Sequence, residues 1–197
     1  AVIGISSSND RHPANVIFAK NHLRYPVEVY AVNPKGGKLH SETIYPCIAD
    51  IPKKIDLAVI ATRAELVPDV MADCIKASAK SAAVISGGFT EGGRGDLQDR
   101  MVSMAQEAKF PFIGPNCLGV YVPFRVDTFF LPIERMIKPN AGGVTSCGAV
   151  PESDRQAERG RAAEQPDLEE VRPARQQPCR YRAAPLDPVE RRNGFPP

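Results

Sequence analysis

Three consecutive serines, Ser6, Ser7 and Ser8 in the stretch GISSSND, precede a proline at position 13 that suits the first turn of a helix. Hydroxyls and backbone N–H groups gathered at a helix start can hold an anion, because the helix dipole and its unpaired N–H groups both favour negative charge there. Gly4, just ahead, permits a tight turn. Taken alone, the stretch is equally a serine-rich turn that caps a helix. A dinucleotide fingerprint would read G-x-G-x-x-G, and its second and third glycine positions are held here by Ser6 and Asn9. Such a site also wants an acid about 20 residues further on for the ribose hydroxyls. This sequence offers Asn33, Pro34 and Lys35 instead. An amide followed by a cation suits a ribose that carries a phosphate, as in NADP or coenzyme A. Lys38 reads as a solvated loop charge.

Two further stretches could meet a ligand. In SGGFTEGG, Ser86, Gly87 and Gly88 leave an apolar run through paired glycines that let a ligand approach the backbone, Phe89 reads as core, and Glu91 can cap the helix that follows. In GPNCLG, Asn116 sits beside Cys117. No base stands near this thiol in sequence, so Cys117 is given no catalytic role. His12, His22 and His40 read as structural or solvent-exposed, and no catalytic or metal-ligating residue is assigned.

These stretches need a scaffold that brings them to one edge. Val2 to Ile5, Val27 to Val32, Leu57 to Ala61, Ala82 to Ile85 and Phe110 to Ile113 are short, apolar and mostly rich in β-branched residues, as strands buried on both faces of a parallel sheet are. Amphipathic stretches Ala14 to Leu23, Ala64 to Ala77 and Leu97 to Ala108 lie between them. The alternation predicts an α/β fold, a Rossmann-like doubly wound parallel sheet, with ligands outside the carboxyl ends of its strands. Each stretch above follows a predicted strand.

The 197 residues and 43% apolar content suffice for a packed core. A net charge of +2, with both signs interspersed, carries no nucleic-acid footprint, and no stretch is apolar enough to span a membrane. Five scattered cysteines without a CxxC pair suggest a reducing cytoplasm. The chain has no initiator Met and begins inside an apparent strand, so a few preceding residues are expected. Residues 151–197 hold nine Arg, no Lys and eight Pro, whereas residues 1–150 hold nine Lys and seven Arg. The tail, 147–197, is expected to be disordered and to be an out-of-frame translation, favoured over a natural linker.

With AVIGISSS, VNPK, DLAVIAT, ISGGFTE and IGPNCLG in this order, residues 1 to about 146 resemble the CoA-binding domain of the ADP-forming acyl-CoA synthetases, a family that includes the α subunit of succinyl-CoA synthetase. The resemblance implies that Gly4, Ser6, Ser7 and Ser8 take phosphates and that Lys35 meets the phosphorylated adenosine. It implies that Ala61, Thr62 and Arg63, with Ser86, Gly87, Gly88 and Glu91, line the pantetheine arm, and that Asn116 and Cys117 lie toward the thiol. CoA would be a substrate, joined to a carboxylic acid through acyl-phosphate and phosphohistidine intermediates. ATP or ADP with Mg would serve the full-length enzyme without being bound by this chain. The partners implied are the remaining synthetase domains or a β-type subunit. Expected domains are a CoA-binding unit at 1–122, a linker at 123–146 leading into the truncated start of a flavodoxin-like domain, and the aberrant tail. In the family, the phosphorylated histidine lies in that second domain, whose opening resembles GGVALVSQSGA; this chain reads GGVTSCGAV, Gly142 to Val150, so the start matches and the rest does not. None of the three histidines matches the phosphorylated one, so no catalytic residue is transferred. The alternatives are a non-catalytic CoA-binding module, free-standing or fused to an acetyltransferase; an NADP-dependent oxidoreductase; and a purely structural domain.

Overall fold

A computed structural model describes residues 1–122, 124–130 and the backbone of 143–146. The expected tail, 147–197, lies outside the described residues.

Seven strands form one sheet in the order β3-β4-β2-β1-β5-β6-β7. They are β1 (Val2–Ile3), β2 (Ala31–Val32), β3 (Gly37–Leu39), β4 (Glu42–Tyr45), β5 (Ala58–Ile60), β6 (Ala82–Val84) and β7 (Phe112–Ile113). All neighbours pair in parallel except β3 and β4. Successive side chains point to opposite faces of a sheet. Val2, Ala31 and Val59 accordingly enter one apolar cluster with Ile17 and Phe18, whereas Ile3, Val32 and Ile60 enter another with Met71 and Met101. Both faces are therefore buried, which is why these strands read as unbroken apolar runs.

Helix α1 (Pro13–Arg24) covers the first face, while α2 (Val67–Lys76) and α3 (Gly95–Glu107) cover the second. Each helix was expected within a few residues of where it lies. Pro13 stands at the first turn of α1, where its missing N–H costs nothing. Along α3, Leu97, Met101 and Ala105 recur every four residues and form its buried stripe.

The β3–β4 hairpin was not expected. Its two-residue turn is His40 and Ser41, both with positive φ, 49° and 71°, a turn usually marked by Asn-Gly or Gly. A second sheet, β10-β8-β9, was also unforeseen: β8 (Cys117–Val122) pairs antiparallel with β9 (Val126–Asp127) and with β10 (Gly143–Ser146). Cys117 to Gly119 are thus strand and not loop. The stretch expected as a linker contributes two strands among its described residues.

Candidate functional site

The strand order reverses direction at β1, which lies between β2 and β5, and the crevice at such a reversal opens at the carboxyl ends of the strands. Gly4 makes this edge narrow. Its φ is +103°, and a Cβ there would stand 2.2 Å from the Ala61 carbonyl oxygen, so no other residue fits.

Beyond Gly4, the serine loop is held by buried amides. Asn15, 2% exposed on α1, accepts from the Ser6 N–H at 2.7 Å and donates to the Ser6 carbonyl at 2.8 Å. Asn33 donates to the Ile5 carbonyl at 2.5 Å and accepts from the Lys35 N–H at 2.8 Å, so one amide ties the second loop to the first. The Ser6 hydroxyl accepts from the N–H groups of Ser8 and Asn9, at 3.3 and 3.1 Å. Ser6 therefore shapes the turn, whereas Ser7 and Ser8 are exposed with hydroxyls that have no partner among the described residues. His12 caps α1, its Nδ1 accepting from the Ala14 N–H at 3.3 Å, and partial burial holds its pKa below the ordinary 6.5. Lys35 and Arg63 are exposed, and neither joins an ion pair among the described residues.

At the ends of β5 and β6 the side chains lock to one another. The buried Ser86 hydroxyl accepts from the Thr62 N–H at 3.0 Å, and the Ser86 carbonyl accepts from the Asn116 N–H at 2.9 Å. Ser86 thus aligns three loops. A Cβ on Gly87 would lie 3.2 Å from Asn116 Oδ1 and 3.3 Å from Glu91 Oε1, so the bare backbone keeps space between these two polar groups. Glu91 accepts from the Gly88 N–H at 2.7 Å, and that bond holds its carboxyl below the usual range. Its role in the loop is to fix the glycine turn. Cys117 is 2% exposed and its thiol donates to the Val84 carbonyl at 3.3 Å.

A pocket of about 240 Å³ lies along this edge. Ala61, Thr62, Ser86, Gly87, Asn116 and Cys117 line it, so six of the expected residues meet at one place. Gly4, Ser6, Ser7, Ser8, Lys35, Arg63, Gly88 and Glu91 are not in its lining. Its walls also include His12 and Pro13, read from the sequence only as structural and as a helix start, and Phe130, which that reading passed over. Pro13 and His12 stood next to the serine loop and could have been found there; Phe130, far along the chain, carried no signal. Open space bounded by apolar side chains, backbone amides and a few side-chain amides and hydroxyls suits one arm of a long, amide-bearing ligand. Among the described residues no three metal-binding side chains cluster.

The cysteine pattern gave a mixed outcome. Cys74 and Cys117 are buried free thiols, and burial pushes Cys74 up to about 12. Cys47 is disulfide-bonded, which the scattered cysteines did not suggest.

Residues 1–123 match the family described as CoA binding domain. Acetate–CoA ligase [ADP-forming] II of Archaeoglobus fulgidus is 34% identical over 122 residues, 61% of this chain and 18% of that protein. Acetate–CoA ligase [ADP-forming] I subunit alpha of Pyrococcus furiosus is 32% identical over 152 residues, 72% of this chain and 32% of that protein. The structure of dinucleotide forming acetyl-coenzyme A synthetase 1 of Ca. Korarchaeum cryptofilum, in complex with phosphate and ADP, matches with a TM-score of 0.62 at 33% identity, covering 66% of this chain and 28% of that one. The chain thus spans between 18% and 32% of the length of these curated relatives.

Proposed function

Because the chain belongs, through residues 1–123, to the CoA-binding domain family, we propose that it is the CoA-binding part of an NDP-forming acid–CoA ligase. In this reading the whole enzyme makes an acyl-CoA from a carboxylic acid, CoA and a nucleoside triphosphate, with Mg, through acyl-phosphate and phosphohistidine intermediates. The nucleotide and the phosphohistidine belong to other domains or to a β-type subunit, and the subunit alpha named in the Pyrococcus furiosus relative supports such a division. The observation that carries the reading is the meeting of Thr62, Ser86, Gly87 and Asn116 in one pocket beside the start of α1, at the edge where this fold binds ligands.

CoA brings a thiol nucleophile, and the chain's own residues bind and orient it. Ser7 and Ser8, before the positive end of α1, face the pyrophosphate. Lys35, held by Asn33 through its own N–H, meets the 3′-phosphate. The pocket takes the pantetheine arm. A nicotinamide cofactor fits less well, since Ser6 fills the loop where a second glycine would admit the pyrophosphate. The domain limits of 1–122 and 123–146 are part of the proposal. So is a cytoplasmic location, with which the buried thiols accord and the bonded Cys47 does not. Among the described residues no helix is long and apolar enough to cross a membrane.

Calorimetric titration of the chain with CoA, dephospho-CoA, NAD and NADP tests the reading. CoA is expected to bind most tightly, and Lys35→Ala to weaken CoA about tenfold while leaving dephospho-CoA unchanged. Preference for a nicotinamide cofactor refutes it.

A further inference from the structure

One residue of the pocket lining, Phe130, lies beyond the matched family domain. Phe130 lines the pocket, and the segment that carries it is fastened on two sides. On the α1 side, Lys20 Nζ and Asp127 Oδ2 pair at 2.9 Å, with side chains only 11% and 6% exposed. Lys20 also donates to the Phe129 carbonyl, and Asp127 Oδ1 accepts from the Phe129 N–H at 2.9 Å. Asn21 donates to the Asp127 carbonyl at 2.6 Å and accepts from its N–H at 3.0 Å, as a neighbouring strand would. On the β8 side, Thr128 exchanges hydrogen bonds with Val120, at 2.7 and 2.8 Å. Gly119 makes this approach possible, since a Cβ there would stand 2.4 Å from Thr128 Oγ1.

A buried ion pair whose two members also hydrogen-bond neighbouring backbone holds one geometry. We propose that the Lys20–Asp127 clamp is a positioning device for Phe130, and that Phe130 contacts the pantetheine arm of bound CoA. The inference rests on the CoA reading and deepens it. Phe130 packs against the buried cluster that holds Ile85 and Cys117, and it shares the pocket lining with Leu118 and Pro13, while Asn116 and Gly87 supply polar groups. An aliphatic arm with amides along it matches this mixture, and the adenosine bisphosphate end does not.

The test is calorimetry on the whole chain with CoA and, separately, with adenosine 3′,5′-bisphosphate, which has no arm. Phe130→Ala is expected to weaken CoA about tenfold, to leave the bisphosphate unchanged, and Phe130→Leu to restore most of the loss. Asp127→Asn is expected to weaken CoA in the same selective way. Equal weakening of both probes by Phe130→Ala, or unchanged CoA binding, overturns the inference while the CoA reading stands. No CoA binding by the unaltered chain overturns both.

Discussion

His12 shows how one side chain couples local structure to pH. Its Nδ1 accepts the Ala14 N–H at the start of α1 and must be unprotonated to do so. Burial lowers its pKa in the folded state below the 6.5 of the unfolded chain. Above pH 6.5 both states are neutral and the cap's contribution is complete. As pH falls below 6.5 the unfolded state takes up the proton first, so stability declines until the folded pKa is passed. Asn at this position caps a helix equally well without titrating. Thermal melts should therefore show the parent and His12→Asn alike at pH 8. By pH 5 the parent should lose up to about 1 kcal/mol more than the variant. Parallel melting curves across that range would refute the capping role. Lys35 and Ser6 make a contrast at the same scale. The side chain of Lys35 is exposed without an ion pair among the described residues, whereas the Ser6 hydroxyl is occupied within its own loop.

Between elements, side-chain amides do work that strand pairing does not. Asn15 and Asn21 on α1 and Asn33 after β2 each hydrogen-bond the backbone of another segment, and the first two are almost wholly buried. The Lys20–Asp127 pair belongs to the same seam. Removing one partner leaves the other buried and uncompensated, a loss of about 3–5 kcal/mol, while exchanging both for apolar residues is often near neutral. Urea titration should place Asp127→Ala in that range, and Lys20→Met with Asp127→Leu should recover most of the loss. If the double variant is no more stable than Asp127→Ala, the pair is not what holds this seam.

At the scale of the molecule, the described residues gather the candidate site along one edge of the sheet. The pocket brings together amides, hydroxyls, the His12 imidazole and the buried Cys117 thiol, with no carboxylate in its lining. From the proposed division of labour, the chain incubated with acetate, CoA, ATP and Mg should form no acetyl-CoA detectable by mass spectrometry, although it binds CoA. Product formation would overturn that division.

The sequence by itself determined the five strands β1, β2, β5, β6 and β7, the three helices and the edge where the candidate site lies. Burial on both faces writes apolar runs into the strands, one-sided burial writes a stripe into α3, and the chain-order alternation of the two fixes where the strand ends gather. Gly87 and Asn116 were legible because each stands in a glycine-containing turn that follows a strand, and Thr62 through the family resemblance. The tertiary structure alone decided which of those residues share a pocket, and it leaves Arg63, Gly88 and Glu91, expected along the same arm, outside that lining. It also decided the β3–β4 hairpin, whose His40–Ser41 turn has no customary turn residue. The seam between α1 and residues 127–130 was beyond any local signal. Asn21 and Asp127 are 106 residues apart, and hydrogen bonds across such a distance depend on how the whole chain packs and leave no periodic pattern in either segment. The hydrogen bonds by which Ser86, expected at the ligand, also ties its own loop to the end of β5 were likewise without a local signal.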